Sequence, residues 1–167
     1  MDLPESIESR LKTYTELRKL IVVSGLGQGT QGSVVVCSNL SQQHVAVKFH
    51  ERSNAYFRER DVYLRLSDLE ITHVQGLRVP ILVHFDDDLL AIEMTIVSPP
   101  FCLDFGGAYL DRPPDYTPEV WRDWREQKCE DFEENWPVVQ EILAEFESFG
   151  IYIADVNPGN IRFRNNT

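Results

Sequence analysis

The sequence predicts an α+β fold: a five-stranded antiparallel sheet with one main helix, followed by a reduced, mostly helical second lobe. Three observations point to it. Residues 20–49 hold three runs rich in β-branched residues, separated by a glycine turn and a polar turn rather than by helices. Ser53 to Asp68 carries apolar residues at spacings of three and four, the period of a helix. Glu119 to Gly150 is helical in pattern along nearly its whole length. The chain thus divides into an N-terminal lobe over 1–95, a connection over 96–118 and a C-terminal lobe over 119–167.

Residues 4–18 form a short helix, with Pro4 in its first turn and Ile7, Leu11 and Tyr14 on the side that packs outside a sheet. Leu20 to Val23 begins a strand, Val34 to Cys37 resumes extended structure, Asn39 to Gln43 turns, and His44 to Phe49 is the third strand. The helix from Ser53 to Asp68, capped by Ser53 or Asn54, puts Ala55, Glu59, Val62, Tyr63 and Leu66 on one side. Gly76 to Phe85 and Leu89 to Thr95 complete the sheet, with Asp86-Asp87-Asp88 as a solvated hairpin tip. Residues 96–118 are irregular, with five prolines and a Gly-Gly pair. The helical region breaks at Pro137 and is closed by Gly150. Trp121, Trp124 and Trp136 read as packing anchors, or in part as a partner surface.

Composition bounds the function. A 167-residue chain that is 43% hydrophobic can bury a core as one domain or two small lobes. The net charge of −11, from 27 acidic and 16 basic residues, argues against a nucleic-acid or anionic-membrane surface. Cys37, Cys102 and Cys129 make neither a disulfide framework nor a zinc pattern, which fits a reducing, cytoplasmic setting. The N-terminus reads as having no signal peptide, and no apolar run approaches a membrane span.

The first candidate site is Gly27-Gln28-Gly29-Thr30-Gln31-Gly32-Ser33-Val34. Glycines at G-x-G-x-x-G spacing let backbone N–H groups approach a phosphate, although the same spacing also occurs in ordinary glycine-rich turns. A dinucleotide-binding unit would need a helix opening inside the motif, and Ser33-Val34-Val35-Val36-Cys37 is strand material instead. Lys48 lies on the third strand, and Glu59 interrupts the apolar stripe of the helix. Glu59 is either a boundary glutamate reaching water or the partner of Lys48, because each charge is costly to bury alone. Near the C-terminus, Asp155-Val156-Asn157-Pro158-Gly159-Asn160 forms a polar loop between short apolar runs.

From Leu20 to Phe163 these motifs, in this order, resemble the protein-kinase-like superfamily, in particular its aminoglycoside-phosphotransferase-like and small bacterial branches. The resemblance implies a glycine-rich loop over ATP phosphates at Gly27, Gly29, Gly32 and Val34. It implies a phosphate-holding lysine at Lys48 within Ala46-Val47-Lys48, with Glu59 as its partner. Adenine would be held by backbone groups near Glu93 and Met94. Asp155 would orient the acceptor hydroxyl, and Asn160 would ligate Mg²⁺. Asn157-Pro158-Gly159-Asn160 resembles the His-Pro-Gly-Asn form of small-molecule kinases.

The resemblance also implies a second Asp beyond the loop asparagine, in a D-F-G segment, as the main Mg²⁺ carboxylate. Seven residues follow Asn160 and none is acidic. Asp104-Phe105-Gly106 spells the triplet but precedes the loop, and it is expected to be coincidental; the alternative is that Asp104 swings into the cleft. The expectation is therefore a truncated, degenerate kinase-like protein that binds ATP, lacks the principal Mg²⁺ carboxylate and has weak or absent phosphotransferase activity. One alternative is an active small phosphotransferase acting on a cationic small molecule or a protein hydroxyl. Eleven acids against three bases from Asp115 to Glu147 suit a cationic substrate, and equally a solvated helical face. The other alternative is a pseudokinase-type interaction module without nucleotide, with a homodimer or protein partner covering the reduced lobe.

Overall fold

The computed structural model describes residues 4–29 and 32–163. The elements run α1 (Glu5–Arg18), β1 (Ile21–Gly29), β2 (Gly32–Ser38), β3 (His44–His50), α2 (Ser53–Asp68), β4 (His73–Val74), β5 (Leu77–Arg78), β6 (Leu82–Asp86) and β7 (Ala91–Thr95). Then come β8 (Phe101–Cys102), β9 (Ala108–Leu110), α3 (Pro118–Phe132), a 3-10 turn over Glu133–Asn135, α4 (Trp136–Ser148), β10 (Ile151–Ile153) and β11 (Ile161–Arg162). The main sheet has five strands in the order β1-β2-β3-β7-β6, and every pair is antiparallel. One main helix, α2, serves it, and a smaller, mostly helical C-terminal region follows.

Alternation along β3 sets the two faces. Val45, Val47 and Phe49 join Ile7, Leu11 and Tyr14 of α1 in one core. Ala46 joins Tyr63 and Leu66 of α2 in the other. Lys48 and His50 continue the Ala46 series and are buried with it. Arg10 fastens α1 to the sheet by donating to the carbonyls of His50 (2.9 Å) and Leu89 (3.1 Å). The second core runs without a break from α2 into the C-terminal helices. Fully buried Phe105 bridges them, with ring centroids 5.4 Å from Tyr63 and 5.6 Å from Phe146. Burying such a ring is worth about 1.5–3 kcal/mol.

Several elements differ from expectation. The β1 and β2 strands run on through the glycine stretch to Gly29 and Gly32, and Thr30 and Gln31 lie outside the described residues. The strand expected from Gly76 to Phe85 is split, because Gln75 and Gly76, both at positive φ, close a tight hairpin between β4 and β5 before Pro80 intervenes. Segment 96–118 holds two strands: β8 pairs with β5 and β11, and β9 pairs with β10. The helical break falls at Glu133–Asn135 rather than Pro137, which sits in the first turn of α4, where the missing N–H has no partner to lose. The residue preceding α2 is Arg52, and no side chain caps that helix. Among the described residues, no helix is long and apolar enough to cross a membrane.

Candidate functional site

The site lies on the α2 face of β3, where the strand's alternation delivers Lys48 into the interior. Its ammonium is 2.7 Å from Glu59 Oε2 and 2.8 Å from Asp104 Oδ1. Lys48 is 6% exposed and Glu59 only 1%, so each charge depends on the other. Burial pulls the Lys48 pKa down, but Glu59 and Asp104 outweigh it and the net shift is upward. Burial pushes Glu59 up, while Lys48 and His50 more than reverse this and hold it below its ordinary value. Glu59 is therefore a carboxylate, which only accepts, so the proton of its 2.6 Å bond to His50 belongs to Nε2.

Asp104 arrives on the loop between β8 and β9. Asp104-Phe105-Gly106, expected to be a coincidental triplet in the connection, sets the Asp104 carboxylate beside Lys48. The resemblance sets the metal carboxylate after the loop asparagine, whereas Asp104 comes before it. The chain order differs, yet the neighbours are joined, because β11, just after Asn160, pairs with β8, just before Asp104. The Leu103 N–H donates to the Asn160 carbonyl at 2.9 Å, tying the two loops together. Sequence order hid this, since strand pairing between residues 101–102 and 161–162 is invisible in local pattern.

Asp155 follows β10, which pairs with β9, so the second loop is held against the first. Its carboxylate lies over Gly107, where any Cβ would overlap it. Burial raises the Asp155 pKa and the nearby charge of Asp104 adds to the effect. Its Oδ1 is buried without a hydrogen-bond partner among the described residues. Asn157 shapes the loop from within: its Oδ1 accepts from the Gly159 N–H at 2.8 Å and its Nδ2 donates to the Asp155 carbonyl at 3.2 Å. Trp124 Nε1 donates to the Ala154 carbonyl at 2.6 Å, which fixes the strand entering the loop.

The other expected site residues fall into two groups. Val34, Ala46 and Met94 share the side of the sheet that packs with α2. Gly27 and Gly29 are paired within the β1–β2 hairpin. Gly32 is required for a different reason from phosphate approach, because a Cβ there would overlap the Phe49 carbonyl oxygen. Glu93 and Met94, the residues expected to lend backbone groups to adenine, lie within the main sheet. Both residues stand in the ladder between β3 and β6, and the Thr95 N–H is also taken, by Ile81 O at 2.9 Å. The Glu93 side chain faces α1, accepting from Tyr14 at 2.9 Å and Arg18 at 3.0 Å. Main-chain groups without such partners begin at Ile96 among the described residues.

Among the described residues, no group of three or more His, Cys, Asp or Glu side chains is placed to hold a metal. The Asp104 carboxylate and the Asn160 amide, on loops joined at Leu103, are nevertheless hard oxygen donors. A small donor set of this kind fits Mg²⁺, which takes one or two carboxylates and completes its shell with water and substrate phosphates.

No family model matches the chain, and no curated protein sequence does. Among solved structures it is similar to the Rio2 kinase–ADP/Mg²⁺–phosphoaspartate complex from Chaetomium thermophilum, with 14% identity and a TM-score of 0.41 over 73% of this chain and 40% of that one. It is also similar to the streptomycin–ATP–APH(2")-IIa ternary complex, with 16% identity, a TM-score of 0.41, and 87% and 42% of the two chains covered. For the gentamicin–APH(2")-IIa complex the values are 17%, 0.42, 89% and 40%. The chain thus spans 40–42% of the length of these three structures.

Proposed function

We propose that the chain forms a kinase-like cleft that takes ATP with Mg²⁺ and transfers its terminal phosphoryl group to a hydroxyl. The observation that carries this reading is the position of Lys48 between Glu59 and Asp104, at 2.7 and 2.8 Å. Phosphoryl transfer needs positioned positive charge, a metal carboxylate and a base at the acceptor, and little covalent chemistry from the protein. Lys48 offers its ammonium to the phosphates. Glu59, steadied by His50, holds that ammonium in place. Asp104 and Asn160 would hold Mg²⁺, which when bound neutralises charge on the phosphates.

Asp155 acts at the acceptor. Burial and the Asp104 charge both raise its proton affinity, which brings a carboxylate nearer to what a general base needs. In the step itself, the acceptor oxygen bonds to the γ-phosphorus, the bond from that phosphorus to the bridging oxygen breaks, the hydroxyl proton passes to Asp155, and ADP leaves. The location of Asp104 supports an active site over the degenerate one expected from the sequence.

Isothermal titration of ATP with and without Mg²⁺ tests the reading. Binding that strengthens with Mg²⁺ is expected. An absence of binding in both conditions would sink it and favour an interaction module in which Glu59 and Asp104 simply neutralise Lys48.

A further inference from the structure

Helix α2 presents two arginines to β9 and the residues after it, two helical turns apart and therefore on one face. Arg65 is fully matched: it meets Asp111 Oδ1 at 2.9 Å and Oδ2 at 3.1 Å, and the Phe149 carbonyl at 3.1 Å. Arg58 is different. Its guanidinium lies over the Tyr109 ring, 4.8 Å from the centroid, and among the described residues it has neither a carboxylate within ion-pair distance nor a hydrogen-bond acceptor. It is partly buried, yet none of its nitrogens is shut off from water, so its N–H edge is open to an incoming anion.

The surroundings of Arg58 belong to the proposed acceptor side. Tyr109 stands opposite Tyr152 in the β9–β10 pair, three residues before Asp155. Tyr116 is close enough to Tyr109, Asp155 and Arg58 for all three to act on its phenol, whose pKa is raised mainly by burial. A guanidinium held flat by an aromatic ring keeps its N–H edge free, and that edge matches the oxygens of a carboxylate or phosphate. The residue just after β9, Asp111, is the acid for Arg65, and Arg58 has no counterpart to it among the described residues.

We propose that Arg58, laid over Tyr109 beside Tyr116, is an oxyanion subsite of the cleft, and that the acceptor hydroxyl belongs to a molecule carrying a carboxylate or phosphate group. This rests on the phosphotransferase reading for the word acceptor, while the anion subsite stands by itself. It reverses the cationic substrate that the acidic C-terminal helices suggest, because those acids lie on solvated helix surfaces whereas Arg58 and Asp155 both act on Tyr116.

The test is an NMR titration of the full chain with inorganic phosphate and, separately, with acetate, following the side-chain Nε–H of Arg58 and the ring signals of Tyr109 and Tyr116. Saturable shifts are expected, lost in Arg58→Gln and weakened in Arg58→Lys, which keeps the charge but not the two-pronged edge. A stronger response to phosphate assigns a phosphate-bearing acceptor, and a stronger response to acetate a carboxylate-bearing one. No shift at either anion, or shifts unchanged in Arg58→Gln, would overturn the subsite. Mg²⁺–ATP titration of the same Arg58→Gln sample separates the two claims. Retained nucleotide binding with a lost anion response supports both, whereas anion binding in a wild-type protein that ignores ATP removes the nucleotide reading alone.

Discussion

Lys48 Nζ lies 2.8 Å from Asp104 Oδ1, although 56 positions of sequence separate them. The contact places a carboxylate of the early connection beside the lysine of the third strand and, through the Leu103–Asn160 backbone bond, beside the late polar loop. Asp104→Asn keeps the size and a hydrogen bond to Lys48 but removes the charge that a magnesium ion would need. Lys48 retains Glu59, and Asp104 is a third exposed, so stability should change by less than about 1 kcal/mol. ATP affinity in the presence of Mg²⁺ should fall by about tenfold or more, down to the metal-free value. Calorimetry that finds the full Mg²⁺ effect preserved in this variant would remove Asp104 from the metal site.

Glu59→Gln has the opposite profile. The side chain is buried and serves both Lys48 and His50 through one oxygen, so neutralising it leaves an ammonium without its inner partner. A loss of about 3–5 kcal/mol in urea unfolding is expected. Because Glu59 is held below its ordinary pKa of 4.5, its contribution is complete above that value and fades as pH falls through the lower folded one. The double variant Lys48→Met with Glu59→Leu should lose less than Glu59→Gln, since no charge is then buried. A loss in the double variant equal to the sum of the Lys48→Met and Glu59→Leu single losses would mean that the pair is not coupled.

The sheet and its main helix were legible because each is written in local periodicity: alternation in His44 to Phe49, and spacings of three and four in Ser53 to Asp68. Lys48 and Glu59 could be singled out since each breaks an apolar pattern. His50 was equally available, two residues beyond Lys48 on the same strand face, but a histidine at a strand end carries no pattern of its own. Asp104 is visible as a residue, while its contact with Lys48 is not. Its place is set by strands of two or three residues, β8, β9, β10 and β11, and pairs so short have no periodicity to read. The same non-local pairing hid the need for Gly107, which arises only because Asp155 returns to lie over it.

Gly107 gives a test of that juxtaposition. A methyl group at this position would occupy the space of the Asp155 carboxylate, so Gly107→Ala must push the carboxylate or the β8–β9 loop aside. Overpacking of this kind costs about 1–3 kcal/mol, and a corresponding drop in thermal stability is expected. Combining it with Asp155→Ala should recover most of the loss, because the methyl then has room. A double-mutant cycle with no coupling would show that the two residues do not meet in solution.

Asp155→Asn separates stability from chemistry. The wild-type carboxylate is raised above its ordinary pKa of 3.8 by burial first and by Asp104 second, and its Oδ1 has no partner among the described residues. A raised carboxylate favours the fold only while it is protonated, so its charged form weakens the fold as pH climbs through the folded pKa. The amide carries no charge at any of these pH values. Asp155→Asn should therefore be more stable than wild type at neutral pH, by about 1 kcal/mol or more. The advantage should shrink on acidification and vanish below pH 3.8, where both proteins are neutral at this position. Thermal melts across that range read the difference directly, and an advantage independent of pH would remove the carboxylate's charge as its cause. If Asp155 also takes the acceptor proton, the more stable variant should be slower in transfer by about a hundredfold or more. A variant that gains stability at neutral pH and keeps its full rate would leave Asp155 as a buried charge with no part in the reaction.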